Sequence, residues 1–178
     1  DLANDLGNLL NRTLKMAMRS CNGKVPAVTA SDFSDDDALK TIGQSLAEQV
    51  GDAYRQMKFS QACTAVLELV QASNKYLDEK TPWSLYKQGR QQETEAVLYA
   101  VLESVRLAAF LLSPVIPDIS NDIYQQLGFT VDFNHKSISD NLLYKEHAAW
   151  GFLPGHQELG EAAPIFQRIE LPETSSAS

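Results

Sequence analysis

The chain has 178 residues, 44% hydrophobic and 21% charged, an ordinary globular mix that excludes a disordered polymer and is long enough to bury a core without staples. Its 15 Lys and Arg stand against 23 Asp and Glu, a formal charge of −8. That balance excludes a general nucleic-acid coat, which needs clustered cations to displace counterions, but it leaves room for a small basic site.

The elements follow in chain order. Leu2 to about Cys21 has apolar residues at Leu2, Leu6, Leu9, Leu10, Leu14, Met16 and Ala17. At roughly 100° per residue these share one broad arc, which predicts an amphipathic helix ended by Asn22-Gly23. Ser34 suits a helix N-cap, and Asp35, Asp36 and Asp37 suit the first turn, where the helix dipole favours negative charge. That reading makes them a helix start rather than a metal site. A second helix to about Met57 uses Leu39, Ile42, Leu46, Val50 and Tyr54. A third, from Ser60 to about Lys80, uses Cys63, Val66, Leu67, Val70 and Leu77. Pro82 suits the first turn of a short helix through Lys87.

The segment from about Gln91 to Leu112 is apolar around most of its circumference, which predicts the middle of a bundle. Its longest apolar-rich stretch, Val97 to Leu112, is interrupted by Glu103, Ser104 and Arg106. No run reaches the roughly 18 apolar residues that span a bilayer, so no membrane partner is expected. Pro114 and Pro117 break this helix, and Asp118 to Leu127 predicts a shorter one. After Gly128 the helical periods thin out. Pro154, Pro164 and Pro172 recur, Ala163 to Glu170 alternates weakly, and Glu173 to Ser178 reads as a disordered tail. The fold class expected is therefore all-α: a bundle of about four or five helices over residues 1–130, an irregular C-terminal arm over 131–172, and a tail over 173–178.

Familiar catalytic signatures are missing: there is no GxSxG, Walker A or HExxH. Cys21 and Cys63 form no CxxC pair, so reduced thiols are the default. His135, His147 and His156 have no ligand spacing to either cysteine, and no metal site is expected. The initiator Met is absent and Asp1 already stands in helical pattern, so the chain reads as a piece of something longer.

Binding signals are better. On the first helix Asn4, Asn8, Asn11, Arg12, Lys15 and Arg19 share the arc opposite the leucines, and Asn4, Asn8 and Arg12 step by four into one row. Asparagine is a poor helix former. Amides that donate and accept, beside a guanidinium fork, suit the reading of base edges. A solvated polar face would have the same look. Trp83, just inside the junction Asn74-Lys75-Tyr76-Leu77-Asp78-Glu79-Lys80-Thr81-Pro82-Trp83, is either a core plug or an exposed stacking platform for an unpaired base. Residues 1–30 and 75–90 each carry a net charge of +2, so the acidity lies elsewhere.

The stretch Leu2-Ala3-Asn4-Asp5-Leu6-Gly7-Asn8-Leu9-Leu10-Asn11-Arg12 resembles the opening helix of the anticodon-binding domain of methionyl-tRNA synthetases, class I aminoacyl-tRNA synthetases. Asn74 to Trp83 resembles that family's second signature, which ends in Pro-Trp. The helix break Ser113-Pro114-Val115-Ile116-Pro117, the arm Trp150 to Gly155 and the run Pro164 to Glu170 are family-like too. The resemblance implies that Asn8, Arg12 and Trp83 stand where the family reads the CAU anticodon of methionine tRNA, with Asn4, Asn11 and Lys15 in support. It implies a parent methionine–tRNA ligase whose separate catalytic domain uses ATP, with zinc as an option there, and toward which the arm runs back. This piece would then hold no cofactor and no catalytic residue. The implied location is the cytoplasm, with the chloroplast or mitochondrial matrix as the alternative. The competing expectation is a non-catalytic helical protein-interaction domain with Trp83 in its core.

Overall fold

The computed structural model describes residues 2–28, 37–131, 133–134 and 144–166, with side chains from Asp5 onward. Seven helices stand among these residues: α1 (Leu2–Ser20), α2 (Ala38–Arg55), α3 (Phe59–Lys80), α4 (Pro82–Lys87), α5 (Gln91–Leu112), α6 (Pro117–Gln126) and the single turn α7 (Tyr144–His147). The first six match the expected helices to within a few residues. The turn α7 has no periodic signal in the sequence, because four residues are too few to show a period.

The leucine arc of α1 is buried through Leu6, Leu9, Leu10 and Leu14. The chain leaves α1 through two left-handed residues, Asn22 (φ 53°) and Gly23 (φ 71°), residue types that accept this conformation. The start of α2 differs from expectation. Asp37 is its N-cap, and its Oδ1 accepts from the backbone N–H groups of Leu39 and Lys40 at 3.1 Å each. A carboxylate caps as well as a hydroxyl. Asp37 is also held by a second partner, since its Oδ2 accepts from the Tyr76 hydroxyl at 3.1 Å. Ser34, Asp35 and Asp36 lie outside the described residues.

The central helix is α5. It is buried on every side from Val97 to Leu112 and packs against α1, α2, α3, α4 and α6. Its two charged interruptions are fully buried and paired. Arg106 Nε and Nη2 each donate to the Glu103 carboxylate at 2.7 Å. The carboxylate also accepts the backbone N–H groups of Gly151 (2.8 Å), Phe152 (3.1 Å) and Leu153 (3.1 Å). Arg106 further donates to the carbonyls of His147 (2.6 Å) and Ala149 (3.0 Å) and to the Tyr124 hydroxyl (3.1 Å). One ion pair in the bundle core thus holds five backbone groups of the arm between His147 and Leu153, and every hydrogen-bonding group of the pair is used.

The arm belongs to the same core: Ala148, Leu153 and Ile165 are buried with the helical leucines. Trp150 lies on Gly43 of α2, where a β-carbon would sit 2.2 Å from the indole Cε3, so only glycine admits the ring. Further on, Lys24 and Glu158 form an isolated antiparallel bridge, flanked by Val25 N–H to Gln157 O (2.8 Å) and Leu159 N–H to Gly23 O (2.9 Å). Extended pairing of the arm is seen here; of the expected extended segment Ala163–Glu170, residues 163–166 form no strand and 167–170 lie outside the described residues. The tail 173–178 also lies outside them.

Candidate nucleic-acid interface

Pro82 sets the geometry of the site. The residue before a proline is kept out of right-handed helix, so α3 must end at Thr81. Thr81 adopts a left-handed conformation (φ 44°, ψ 60°), unusual for a β-branched residue, and passes the chain directly into α4. Its N–H closes α3 onto Leu77 O (3.1 Å), and its carbonyl accepts the Ser84 N–H (2.8 Å) to open α4. Pro82 is buried, whereas Trp83, the next residue, is 39% exposed. Trp83 is thus not a core plug; the buried anchor of this elbow is the proline.

The elbow carries Trp83 to α1. The Arg12 guanidinium carbon lies 5.8 Å from the Trp83 ring centroid, within cation–π range. Arg12 Nη2 also donates to Asp78 Oδ1 at 2.6 Å in an exposed ion pair. Such pairs contribute about 0–1 kcal/mol, so this one orients the guanidinium more than it stabilises the fold. Asn74, a turn before Asp78, donates through Nδ2 to Asp5 O (3.3 Å) and Val70 O (3.2 Å), tying α3 to the first turns of α1. Between these two ties, Asn8 is exposed one turn before Arg12 in the same row.

The structure therefore joins Arg12 and Trp83, which are 71 positions apart, and leaves Asn8 free on the adjacent turn. Lys15 is exposed one turn beyond Arg12. Asn11 is half-buried and lies roughly 100° around α1 from Arg12. The Asn4 side chain lies outside those described. Asp78 lies in the Asn74–Trp83 junction but is not among the expected site residues, because nothing local signals a partner 66 positions away. Among the described residues, no group of three His, Cys, Asp or Glu could hold a metal ion, and no helix is long and apolar enough to cross a membrane.

An exposed tryptophan, a guanidinium beside it and the exposed Asn8 amide one turn away, on an all-α bundle, are the kind of groups that stack on and hydrogen-bond unpaired bases. Comparison with known proteins agrees with that class. Residues 25–170 match the family model described as the anticodon binding domain of methionyl tRNA ligase. The matched range includes Trp83 and begins after α1. The methionine–tRNA ligase of Nostoc sp. is 56% identical over 170 residues, covering 96% of this chain and 32% of that protein. The chloroplastic/mitochondrial methionine–tRNA ligase of Arabidopsis thaliana is 41% identical over 173 residues, covering 96% of this chain and 27% of that protein. The free-state crystal structure of Mycobacterium tuberculosis methionyl-tRNA synthetase superposes with a TM-score of 0.81 at 31% identity, over 97% of this chain and 33% of that one. The chain belongs to the family of methionyl-tRNA ligase anticodon-binding domains, and it spans about a third of the length of these relatives.

Proposed function

We propose that the face formed by Asn8 and Arg12 of α1 and Trp83 of α4 reads the CAU anticodon of methionine tRNA, so that a parent ligase charges that tRNA with methionine. The observation that carries this reading is the exposed Trp83 ring with the Arg12 guanidinium beside it. Trp83 stacks on an unpaired base while Arg12 and Asn8 hydrogen-bond its edge. A wrong base leaves those donors and acceptors unpaired, which is the source of discrimination. Lys15 supports from the next turn; Asn4 and Asn11 are weaker candidates for support. ATP, and any zinc, belong to the catalytic domain of the parent, toward which the arm runs. The cyanobacterial and organellar relatives favour a bacterial cytoplasm or an organelle matrix as the compartment. The protein-interaction alternative, which needed Trp83 in the core, is not favoured.

Binding of the 178-residue chain to two RNA hairpins, one with a CAU loop and one with its first anticodon base changed, tests this. Trp83→Ala removes the preference for CAU, while circular dichroism and Tm stay near those of the parent chain. Preserved discrimination in that variant would refute the reading.

A further inference from the structure

We propose that the end of the bundle opposite Trp83, where Met57, Phe59, Val115 and Tyr144 are exposed, is the surface on which the remaining two thirds of the parent ligase docks. This rests on the parent ligase of the proposed function and is independent of which base Trp83 reads.

The exposed large apolar side chains fall into two groups. Gln91 Nε2 donates to Ser20 O at 2.8 Å, so the start of α5 lies beside the end of α1. From there α5 carries the chain roughly 33 Å over its 22 residues. Met18, Trp83 and Tyr86 stand at the first end. Met57, Phe59, Val115 and Tyr144 stand at the other, 72, 46, 44 and 44% exposed. This second group is held on one frame. Tyr54 of α2 donates its hydroxyl to Leu111 O, near the end of α5, at 2.7 Å, and the Phe59 ring lies 5.9 Å from the Tyr54 ring. Val115 N–H donates to Leu112 O at 2.8 Å. The Tyr144 ring lies 5.8 Å from that of Phe110, and its hydroxyl donates to Ala47 O of α2 at 2.7 Å.

Met57, the most exposed of the four, has a left-handed backbone (φ 59°). Its N–H donates to Tyr54 O (2.9 Å) and Lys58 N–H donates to Ala53 O (2.8 Å), which puts Met57 in the position after a helix that glycine most often takes. A glycine there would avoid both the backbone cost and the exposed thioether. Methionine and aromatic side chains are enriched where proteins meet, and methionine adapts its shape to an opposing surface. Large apolar side chains gathered around one strained turn mark such a surface. Lys58, beside them, is exposed and has no acidic partner among the described residues, so the opposing surface is apolar with an acid at its rim.

The occupant follows from length and from the shape of tRNA. This chain covers 32% of the Nostoc ligase and 33% of the M. tuberculosis synthetase, so two thirds of such a protein must pack somewhere on it. A tRNA carries its anticodon and its amino-acid end at opposite ends of the molecule. The rest of the ligase acts at the amino-acid end. It must leave the Trp83 end of the bundle open and hold the bundle by the far end.

Peroxide footprinting of the 178-residue chain and of the parent ligase tests this. Hydrogen peroxide transfers one oxygen to a methionine sulfur and leaves as water, at a rate that follows exposure, and peptide mass spectrometry reads each site. Met57 is expected to oxidise at least about tenfold more slowly in the parent than in the 178-residue chain, while Met18, at the Trp83 end, changes less than about twofold. Val115→Glu in the parent raises Met57 oxidation toward the rate in the 178-residue chain, and in that chain it leaves Tm unchanged because the position is exposed. Equal Met57 rates in chain and parent would overturn the proposal. So would equal protection of Met18, or continued protection of Met57 in the Val115→Glu parent. Protection of Met57 in the 178-residue chain that is lost on dilution would overturn it too, since a second copy would then be the occupant. Hairpin discrimination by Trp83→Ala is measured on the 178-residue chain alone, so a failure of the anticodon reading is told apart from a failure of this docking surface.

Discussion

Arg12 uses one guanidinium in two ways. Its Nη2 is held by Asp78 at 2.6 Å, and its plane carbon lies 5.8 Å from the Trp83 centroid. A lysine at this position keeps the charge but loses the planar fork and the stacking surface. Arg12→Lys is therefore expected to lower the CAU preference about tenfold, within the range of a bidentate base contact, while weakening overall hairpin binding much less. A competition titration with the two hairpins reads that split, and equal losses for both RNAs would contradict it. Residue types in a row were legible in the sequence at this scale: Asn8, Arg12 and Lys15 are exposed as the helical period requires. Whether Trp83 was plug or platform was not legible. A tryptophan after a proline suits either, and exposure is a property of what packs beside it.

Among elements, α5 shows the same division. Its length and central burial follow from apolar residues on all sides, and its bounds match the expected ones at both ends. Glu103 and Arg106 are different. In sequence they interrupt an apolar run; in the fold they are fully buried and hold the arm from His147 to Leu153. Burying charges costs several kcal/mol per ion, and the return comes only where each donor and acceptor is matched, as here. Arg106→Met is expected to destabilise the chain by about 3–5 kcal/mol, because it leaves the Glu103 carboxylate buried without its counter-charge. Urea unfolding followed by circular dichroism gives the value; a loss below about 1 kcal/mol, typical of a surface pair, would mean the pair is not the clamp described. The arm was the least legible part of the chain. Its order depends largely on backbone groups meeting the Glu103–Arg106 pair of α5 and the segment after α1, and backbone groups are the same in every sequence.

At the scale of the whole molecule, charge distribution governs both binding and pH response. The overall −8 averages unlike regions, with positive segments at 1–30 and 75–90. These segments meet in space along α1 and α4. In the interior, His147 is packed among Phe152, Phe110 and Tyr124 close to Arg106. Burial first, and the Arg106 charge second, push its pKa down to about 4 from an ordinary 6.5. Between those values the unfolded chain binds the proton and the folded chain does not. Stability is therefore full above about pH 6.5 and falls as the pH drops toward 4, by at most about 1.4 kcal/mol per pH unit from this one group. For a chain of this size that is roughly 3–5 °C in Tm per unit. His147→Gln should flatten the difference between Tm at about pH 7 and pH 5.5. An identical pH slope in the variant would assign the acid sensitivity to other groups.

The amino-acid sequence by itself determined the all-α class, the approximate bounds of the helices before residue 130, and the buried leucine face and polar face of α1. These are local matters, set by a period of 3.6 residues, by prolines that end helices and by caps that start them. Tertiary structure alone decided that Arg12 meets Asp78 and Trp83, that the ring stays exposed, and that Glu103 and Arg106 clamp the arm. Each of these joins residues far apart along the chain. Such pairings depend on how helices dock, and docking is the sum of many side-chain contacts that no local pattern records.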